Sequence, residues 1–168
     1  MADEMRAAIT ATPSEAFTTE NAYSRWPLSS SLPPFGALTS APRMARAYLR
    51  DILAMWALSG LTEQAEYVVS ELVTNAVNAS TRDGQPLYDQ LGRMLTIRLI
   101  LRTGNRLLRV EVWDRADGVP ALHNADSDAV SGRGLAMVAY FSSARWGWTT
   151  RSANGWKSVH AVLGPDPR

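Results

Sequence analysis

Glu71 and Asn75 are the first residues whose types and spacing suggest chemistry. They lie in the stretch EYVVSELVTNAVNAS, residues 66–80, four positions apart. On a helix this spacing makes the two side chains neighbours on one face. A carboxylate can take a proton or orient a water, and an amide oxygen beside it is a hard ligand suited to Mg²⁺. A solvated helix face would show the same residues, so the pair alone does not identify a site.

Asp114 ends a strand-forming segment and leads into a turn. In the stretch VEVWDRADGVP, residues 110–120, it precedes Gly118 by four positions. A carboxylate at a strand end can accept a hydrogen bond from an exocyclic amine, and a glycine lets the backbone approach a flat ligand closely. An ordinary Asp-Gly turn after a strand would show the same residues, so this segment alone does not identify a site.

A glycine-rich turn, Ser131-Gly132-Arg133-Gly134-Leu135, opens a later helix. Its backbone N–H groups are free to face an anion, and the helix dipole favours negative charge at that end. Arg133 adds a cation. A short G-x-G could equally be a hinge, and the segment has neither the preceding parallel strand of a dinucleotide fingerprint nor the Gly-Lys-Ser/Thr of a P-loop. In this order, however, the Glu71–Asn75 pair on one helix, the Asp-to-Gly turn and the glycine turn together predict a nucleotide site.

Three helices are expected to position these residues. The first runs from Ala41, with Pro42 near its start, and Gly60 is expected to close it. The second has Thr62 as its N-cap and runs to about Ser80. Its apolar face is expected to consist of Val68, Val69, Leu72, Val73, Ala76 and Ala79. A polar loop follows at residues 81–90, and residues 135–141 form the third helix.

The remaining pattern predicts strands joined by tight turns. Residues 94–102 and 107–114 form one hairpin around Gly104-Asn105, and residues 145–150 and 157–163 form a second around Asn154-Gly155. Residues 26–32 are compatible with an edge strand. Helices before and between antiparallel hairpins favour an α+β two-layer sandwich, with a mixed, mainly antiparallel sheet covered by helices on one face.

Composition excludes several classes of function. The chain has 168 residues, enough for one domain and too few for two good cores. A net charge of +1 does not favour a nucleic-acid binder. The absence of cysteine excludes disulfides, zinc-thiolate sites and cysteine nucleophiles, and two histidines cannot build a histidine-rich metal site. No apolar run approaches the ~20 residues of a membrane span, and the first residues lack the order of a signal peptide, so a cytoplasmic location is expected.

The expected organisation is a single folded unit with short tails. Residues 1–24 cannot bury enough apolar surface to offset the cost of ordering them and are expected to form a flexible tail. Residues 25–164 form the domain, and residues 165–168 form a C-terminal tail.

Across residues 41–163 the chain resembles the GHKL, or Bergerat-fold, ATPases, and among them the bacterial anti-sigma factor serine kinases. Residues 70–77 (SELVTNAV) look like the N box of that family, residues 114–120 like its G1 box and residues 132–135 like its G2 box. Gly155-Trp156-Lys157-Ser158-Val159 is similar to the closing G-x-K-[ST]-V strand. The resemblance implies a Bergerat-type sandwich with ATP and Mg²⁺ as cofactors.

The resemblance also implies a role for each matching residue. Glu71 would be the general base, acting on a serine hydroxyl or a water. Asn75 would hold Mg²⁺ between the phosphates. Asp114 would bind the adenine amino group, with Gly118 packing near the base. Ser158 would support the adenine end.

The glycine turn would bind the phosphates. Gly132 and Gly134 would offer backbone N–H groups, with Arg133 and Leu135 in the same turn, and residues 121–130 would form an ATP lid. The implied function is an ATP-dependent serine/threonine kinase that phosphorylates a STAS-type anti-anti-sigma partner and regulates a sigma factor. A homodimer is expected, and neither nucleic acid nor membrane is an expected partner.

Some positions depart from the family pattern. Ala116 stands at the first glycine of the G1 box, Asn78 and Ala79 stand where many relatives carry Arg and His, and Trp156 replaces a common glycine. The kinase remains the first hypothesis, but Ala116 and the changed end of the N box raise a second one, a nucleotide-gated protein-binding module with little or no kinase activity. A structural domain that has lost its ligand is the third hypothesis. It is ranked last because the five central site residues are all present: Glu71, Asn75, Asp114, Gly132 and Gly134.

Overall fold

The computed structural model describes residues 25–117, 133–149 and 155–165 of the chain. The predictions for the N-terminal tail, for Gly118, for Gly132 and for the lid at residues 121–130 lie outside these described residues. So does the centre of the second predicted hairpin.

Three helices form in the described part of the chain. They are α1 (Ala41–Met55), α2 (Thr62–Ala79) and α3 (Arg133–Phe141), and a 3-10 turn at Ser59–Leu61 joins the first two. Pro42 lies in the first turn of α1, where its missing N–H is not needed. All three predicted helices are therefore present, with ends that differ by a few residues.

α1 ends before Gly60, the residue expected to close it. Ala57 adopts a left-handed conformation with φ of 55°. Leu58 N–H donates to the Leu53 carbonyl at 2.9 Å, and Ala57 N–H donates to the Ala54 carbonyl at 3.2 Å. These two bonds are the Schellman arrangement that satisfies the last carbonyls of a helix. Ala57 therefore stops the helix, and Gly60 is left inside the 3-10 turn.

The ends of α2 also differ slightly from the prediction. Thr62 is the first helical residue and Leu61 occupies the N-cap position, because the 3-10 turn leads directly into the helix. The buried side of α2 is the predicted apolar face with one exchange at its end. Val77 is buried, whereas Ala79 is exposed.

Eight strands are described: β1 (Leu28–Ser31), β2 (Phe35–Gly36), β3 (Thr81–Arg82), β4 (Gln85–Pro86), β5 (Thr96–Gly104), β6 (Leu107–Asp114), β7 (Trp146–Thr149) and β8 (Lys157–Leu163). The main sheet has the order β1-β5-β6-β8-β7, with β2 also paired to β5. Every strand pair among the described residues is antiparallel. The edge position of β1 agrees with the edge strand predicted at residues 26–32.

The turn between β5 and β6 lies one residue later than predicted. Asn105 and Arg106 both have positive φ, 52° and 63°, which is the pattern of a two-residue type I′ hairpin. Gly104 instead ends β5 and serves close packing. A Cβ at Gly104 would overlap the Arg25 carbonyl oxygen and lie 2.8 Å from Pro27 Cδ.

The helices cover one face of the sheet, and α2 is central to the helical layer. α2 packs against α1, α3 and strands β5, β6 and β8. Between the two layers lies a single aliphatic core, whose largest fully buried side chains include Leu49, Leu53, Leu72, Leu99, Leu101 and Leu108. The predicted α+β two-layer sandwich is confirmed, and the central place of α2 fixes where its polar residues lie.

The other face of the sheet carries a buried polar cluster. Glu111 Oε1 accepts from Arg109 Nε at 2.7 Å and from Arg102 Nε at 3.2 Å, and Oε2 accepts from Trp113 Nε1 at 3.2 Å. Burial raises the pKa of Glu111, but the two arginines outweigh it, so this pKa lies below its ordinary value. His160 is opposite Glu111 in register. Burial, together with Arg109, lowers the pKa of His160 to about 4.

Residues 81–95 form an ordered arm in place of the predicted polar loop. β3 and β4 pair around Asp83-Gly84, whose φ values of 52° and 73° again fit a type I′ turn. Beyond them Asp89 Oδ1 accepts from the backbone N–H groups of Leu91 and Arg93, each at 2.9 Å. Turn chemistry in short polar segments therefore orders this connection.

Among the described residues, none of the helices combines the length and the apolar character that a membrane span requires.

Candidate nucleotide site

The polar side of α2 carries the two candidates from the N-box-like segment. Glu71 and Asn75 are both partly buried, one helical turn apart, while the opposite side of the helix is packed into the core. The same periodicity that buries Leu72 and Val73 therefore directs Glu71 away from the aliphatic core.

Glu71 lies directly against the first turn of α3. A Cβ added to Gly134 would overlap Oε2 of Glu71 and lie 2.9 Å from its Cδ. Only a glycine leaves room for the carboxylate in this position. The N-box-like helix and the glycine turn, far apart in the sequence, thus meet at these two residues.

The environment of Glu71 changes its acidity. Burial raises the pKa of the Glu71 carboxyl, since removal from water disfavours the charged form. Tyr67, one turn earlier, has a pKa raised by burial and by the charge of Glu71. The Tyr67 ring packs on Phe141, with centroids 5.2 Å apart. α2 and α3 are therefore held antiparallel at two points, Glu71 on Gly134 and Tyr67 on Phe141.

Asp114 lies at the end of β6 in a buried ion pair with Lys157. The two residues are directly opposite in the β6–β8 register, and they are 3% and 7% exposed. Lys157 Nζ donates a short hydrogen bond to Asp114 Oδ1 and a second bond of 2.9 Å to the carbonyl of Ala116. Ala116 N–H donates to the same Oδ1 at 2.9 Å. Within the described residues Oδ1 is thus fully engaged, and Oδ2 is the oxygen left to accept from a ligand.

Ala116, which departs from the family glycine, fits without difficulty. It is 2% exposed, and both of its backbone polar groups are bonded within the Asp114–Lys157 arrangement. Arg115, the residue before it, lies over the Trp156 ring at 5.7 Å from the centroid. The start of the G1-like segment is therefore tied to the start of β8.

Ser158 does not lie beside Asp114. It pairs with Trp113 in the ladder, so its side chain is on the face of the sheet opposite the helices. There its hydroxyl is 3.0 Å from Thr149 Oγ1. The structure brings Lys157, and not Ser158, to Asp114, and the role of Ser158 at the adenine end stays a prediction.

A cavity of about 750 Å³ opens next to Ala116. One wall is the segment 115–117, and the other is the arm together with Ala79 at the end of α2. Exposure of Ala79 follows from its position on this wall. The cavity has room for a nucleoside-sized ligand.

The remaining predicted residues are only partly described. Arg133 is the first residue of α3, and Leu135 is buried in its first turn. Gly118 and Gly132 fall outside the described residues. No group of three or more acidic or histidine side chains that could hold a metal occurs in the described ranges.

Lys157 and the arm were not singled out as functional by sequence reasoning. One signal was available for Lys157, since it is the only lysine in a chain with sixteen arginines. The arm carried the Asp-Gly signal of a tight hairpin at residues 83–84.

A known family profile matches most of the folded part of the chain. Residues 36–145 match the profile of the family described as histidine kinase-like ATPase domain, which is 110 of the 168 residues. The matched range contains Glu71, Asn75, Asp114 and Gly134, and it ends before β8. No curated protein matches the chain.

Proposed function

The chain belongs to the histidine kinase-like ATPase domain family, and from that premise we propose that it is a serine/threonine protein kinase of the anti-sigma type. It would phosphorylate a STAS-type anti-anti-sigma partner and thereby regulate a sigma factor. Membership of the family makes ATP the nucleotide, and the kinase activity and the partners are the proposal.

The contact between Glu71 and Gly134 is the observation that carries the proposal. Phosphoryl transfer to a hydroxyl needs a group that takes the hydroxyl proton and donors that receive the phosphate charge. The carboxylate of Glu71 touches the first turn of α3, where backbone N–H groups favour an anion. A serine hydroxyl presented at this contact would lose its proton to Glu71.

The acidity of Glu71 suits that role. A carboxylate with an ordinary pKa of 4.5 is a weak base near neutrality, and burial raises the pKa of Glu71 above that value. A catalytic pKa closer to the working pH makes proton transfer more effective. Burial therefore supports Glu71 as the general base.

The other site residues are suited to hold the nucleotide. Asp114 has Oδ2 left as an acceptor for an exocyclic amine, and it precedes by two residues Ala116, which lines the cavity. Asn75, one turn beyond Glu71, offers an amide oxygen to Mg²⁺. Bound Mg·ATP would supply the transferable phosphoryl group and part of the charge neutralisation.

The partner assignment rests on the resemblance of residues 70–77 and 132–135 to the anti-sigma factor kinases. We expect the protein to act on a folded partner that presents a serine, and to form a homodimer. Sedimentation of the purified chain tests the second expectation directly.

The test is calorimetric titration with ATP in the presence and absence of Mg²⁺, followed by transfer of ³²P to a STAS partner. Wild type is compared with Asn75→Ala and with Asp114→Asn, which keeps the volume of the buried side chain. Magnesium-dependent binding that both variants weaken, followed by transfer in wild type, supports the kinase. Absence of binding at millimolar ATP overturns it.

A second outcome would select the alternative hypothesis. If ATP binds without transfer and partner affinity differs between the ATP-bound and nucleotide-free forms, the protein is a nucleotide-gated binding module. Equal partner affinity in the two forms would exclude that module.

A further inference from the structure

Lys157 is the only lysine of the chain, and it is buried. The other basic side chains are sixteen arginines and two histidines. Lys157 is 7% exposed and lies at the first position of β8. A buried cation is rarely found without a specific partner, and this one has two, Asp114 and the carbonyl of Ala116.

The geometry suits lysine chemistry. An ammonium is a compact point charge with three donors on a flexible stem, whereas a guanidinium is a wide planar fork. Two acceptors from residues two positions apart, the Asp114 carboxylate and the Ala116 carbonyl, converge on a single nitrogen here. An arginine here would have to fit a wider planar head into the space that the ammonium fills between these two acceptors.

We propose that Lys157 is a positioning residue of the nucleotide site that sets its preference for a purine with an exocyclic amine over one with an exocyclic carbonyl. This inference rests on the proposed nucleotide-binding function. Lys157 holds Oδ1 of Asp114, so that Oδ2 alone is presented to the base.

The ion pair also controls what Asp114 can bond. A carboxylate only accepts hydrogen bonds. It therefore accepts from the amino group of adenine and repels the carbonyl oxygen of guanine. Without the ammonium, Oδ1 keeps only the bond from the Ala116 N–H among the described contacts, so the carboxylate can turn and Oδ2 is no longer held toward the base. Loss of Lys157 thus removes the basis of discrimination.

A second consequence concerns the segment after Asp114. The same ammonium binds Ala116, and the neighbouring Trp156 lies beneath Arg115. Lys157 therefore fixes the wall of the cavity that a base would contact. Affinity and base preference are expected to change together when it is replaced.

The first experiment measures the affinities of wild type and Lys157→Met for Mg·ATP and Mg·GTP by calorimetry. We expect the ratio of ATP affinity to GTP affinity to fall at least tenfold in the variant. An unchanged ratio overturns the inference while leaving the proposed function intact. Absence of ATP binding in wild type overturns the proposed function and this inference with it. Arg50→Lys, in an exposed ion pair on α1, is the matched control and should keep the wild-type ratio.

The second experiment reads Lys157 itself and needs no substitution at that position. Because Lys157 is the sole lysine, protein labelled with ¹³C at lysine Cε gives one signal from this residue. We expect saturating Mg·ATP to shift that signal and an equal concentration of Mg·GTP to leave it in place. The added signal of Arg50→Lys serves as an internal reference. A Lys157 signal that does not move when calorimetry shows ATP bound contradicts a positioning role.

Discussion

The carboxylate of Glu71 packs against the α-carbon of Gly134, so that the side chain of one helix fills the space where the next helix lacks a Cβ. This contact joins α2, the central helix of the helical layer, to α3, the helix that follows the glycine turn. It makes the identity of residue 134 a condition for the position of the carboxylate, which leads to the first prediction.

Gly134→Ala is expected to displace the Glu71 carboxylate. The new Cβ would overlap Oε2, the free end of a flexible side chain, so the side chain can move and the fold should survive. Misplacement of a catalytic group by about 1 Å can cost about a hundredfold in rate. Phosphoryl transfer should fall by about tenfold to a hundredfold, measured with the ³²P assay. Gly60→Ala has nothing within 4 Å of its new Cβ and should leave transfer unchanged; equal activity of the two variants would contradict the role of the contact.

Glu71→Gln should separate catalysis from stability. Loss of a general base typically costs about 10²–10⁴ in rate, so transfer should collapse while Mg·ATP binding remains. The pKa of Glu71 is raised by burial, so its contribution to stability is present below the unfolded value of 4.5 and is lost as pH rises through the folded value. At pH 7 the glutamine variant should therefore melt slightly above wild type. Glu63→Gln, at the exposed start of α2, is the control for both measurements.

Asp114→Ala should lower the free energy of unfolding by more than the loss of side-chain volume alone would. It leaves the Lys157 ammonium buried without its carboxylate, and breaking a buried ion pair by removing one partner costs about 3–5 kcal/mol. The double variant Asp114→Ala with Lys157→Met removes both charges and should recover part of that free energy of unfolding, measured in urea. Glu66→Ala breaks the exposed pair with Arg50 and should cost much less. If the double variant is no more stable than Asp114→Ala, the pair is not coupled.

His160 should make the fold sensitive to mild acid. Its pKa is about 4 in the folded protein, below the ordinary value of 6.5, chiefly because of burial. The contribution of neutral His160 to the free energy of unfolding is complete above pH 6.5. It is lost as pH falls toward 4, by up to about 3 kcal/mol. Glu111, whose pKa is also lowered, adds to the loss below its ordinary value. His160→Gln should flatten the pH dependence of the unfolding free energy between pH 7 and pH 5, and an undiminished slope would count against this assignment.

Local patterns were sufficient for most of the elements. The helical spacing of apolar residues in α1 and α2, the alternation in β6 and the turn residues between β5 and β6 each depend on neighbours within one or two turns of chain. Helix ends were less accurate, as at Ala57, because a left-handed stop can be supplied by a residue other than glycine. The arm was missed because its strands are only two residues long.

The sequence by itself determined which chemistry this protein can carry: a carboxylate and an amide on one helix face, an aspartate at a strand end and a glycine turn before a helix. Only the tertiary structure decided which of these groups meet. Lys157 reaches Asp114 across 43 residues because β8, and not β7, lies next to β6. Glu71 reaches Gly134 because α3 packs antiparallel on α2. Such contacts depend on strand order and helix packing, which are set by the burial of the whole core and leave no local pattern at the residues that they join.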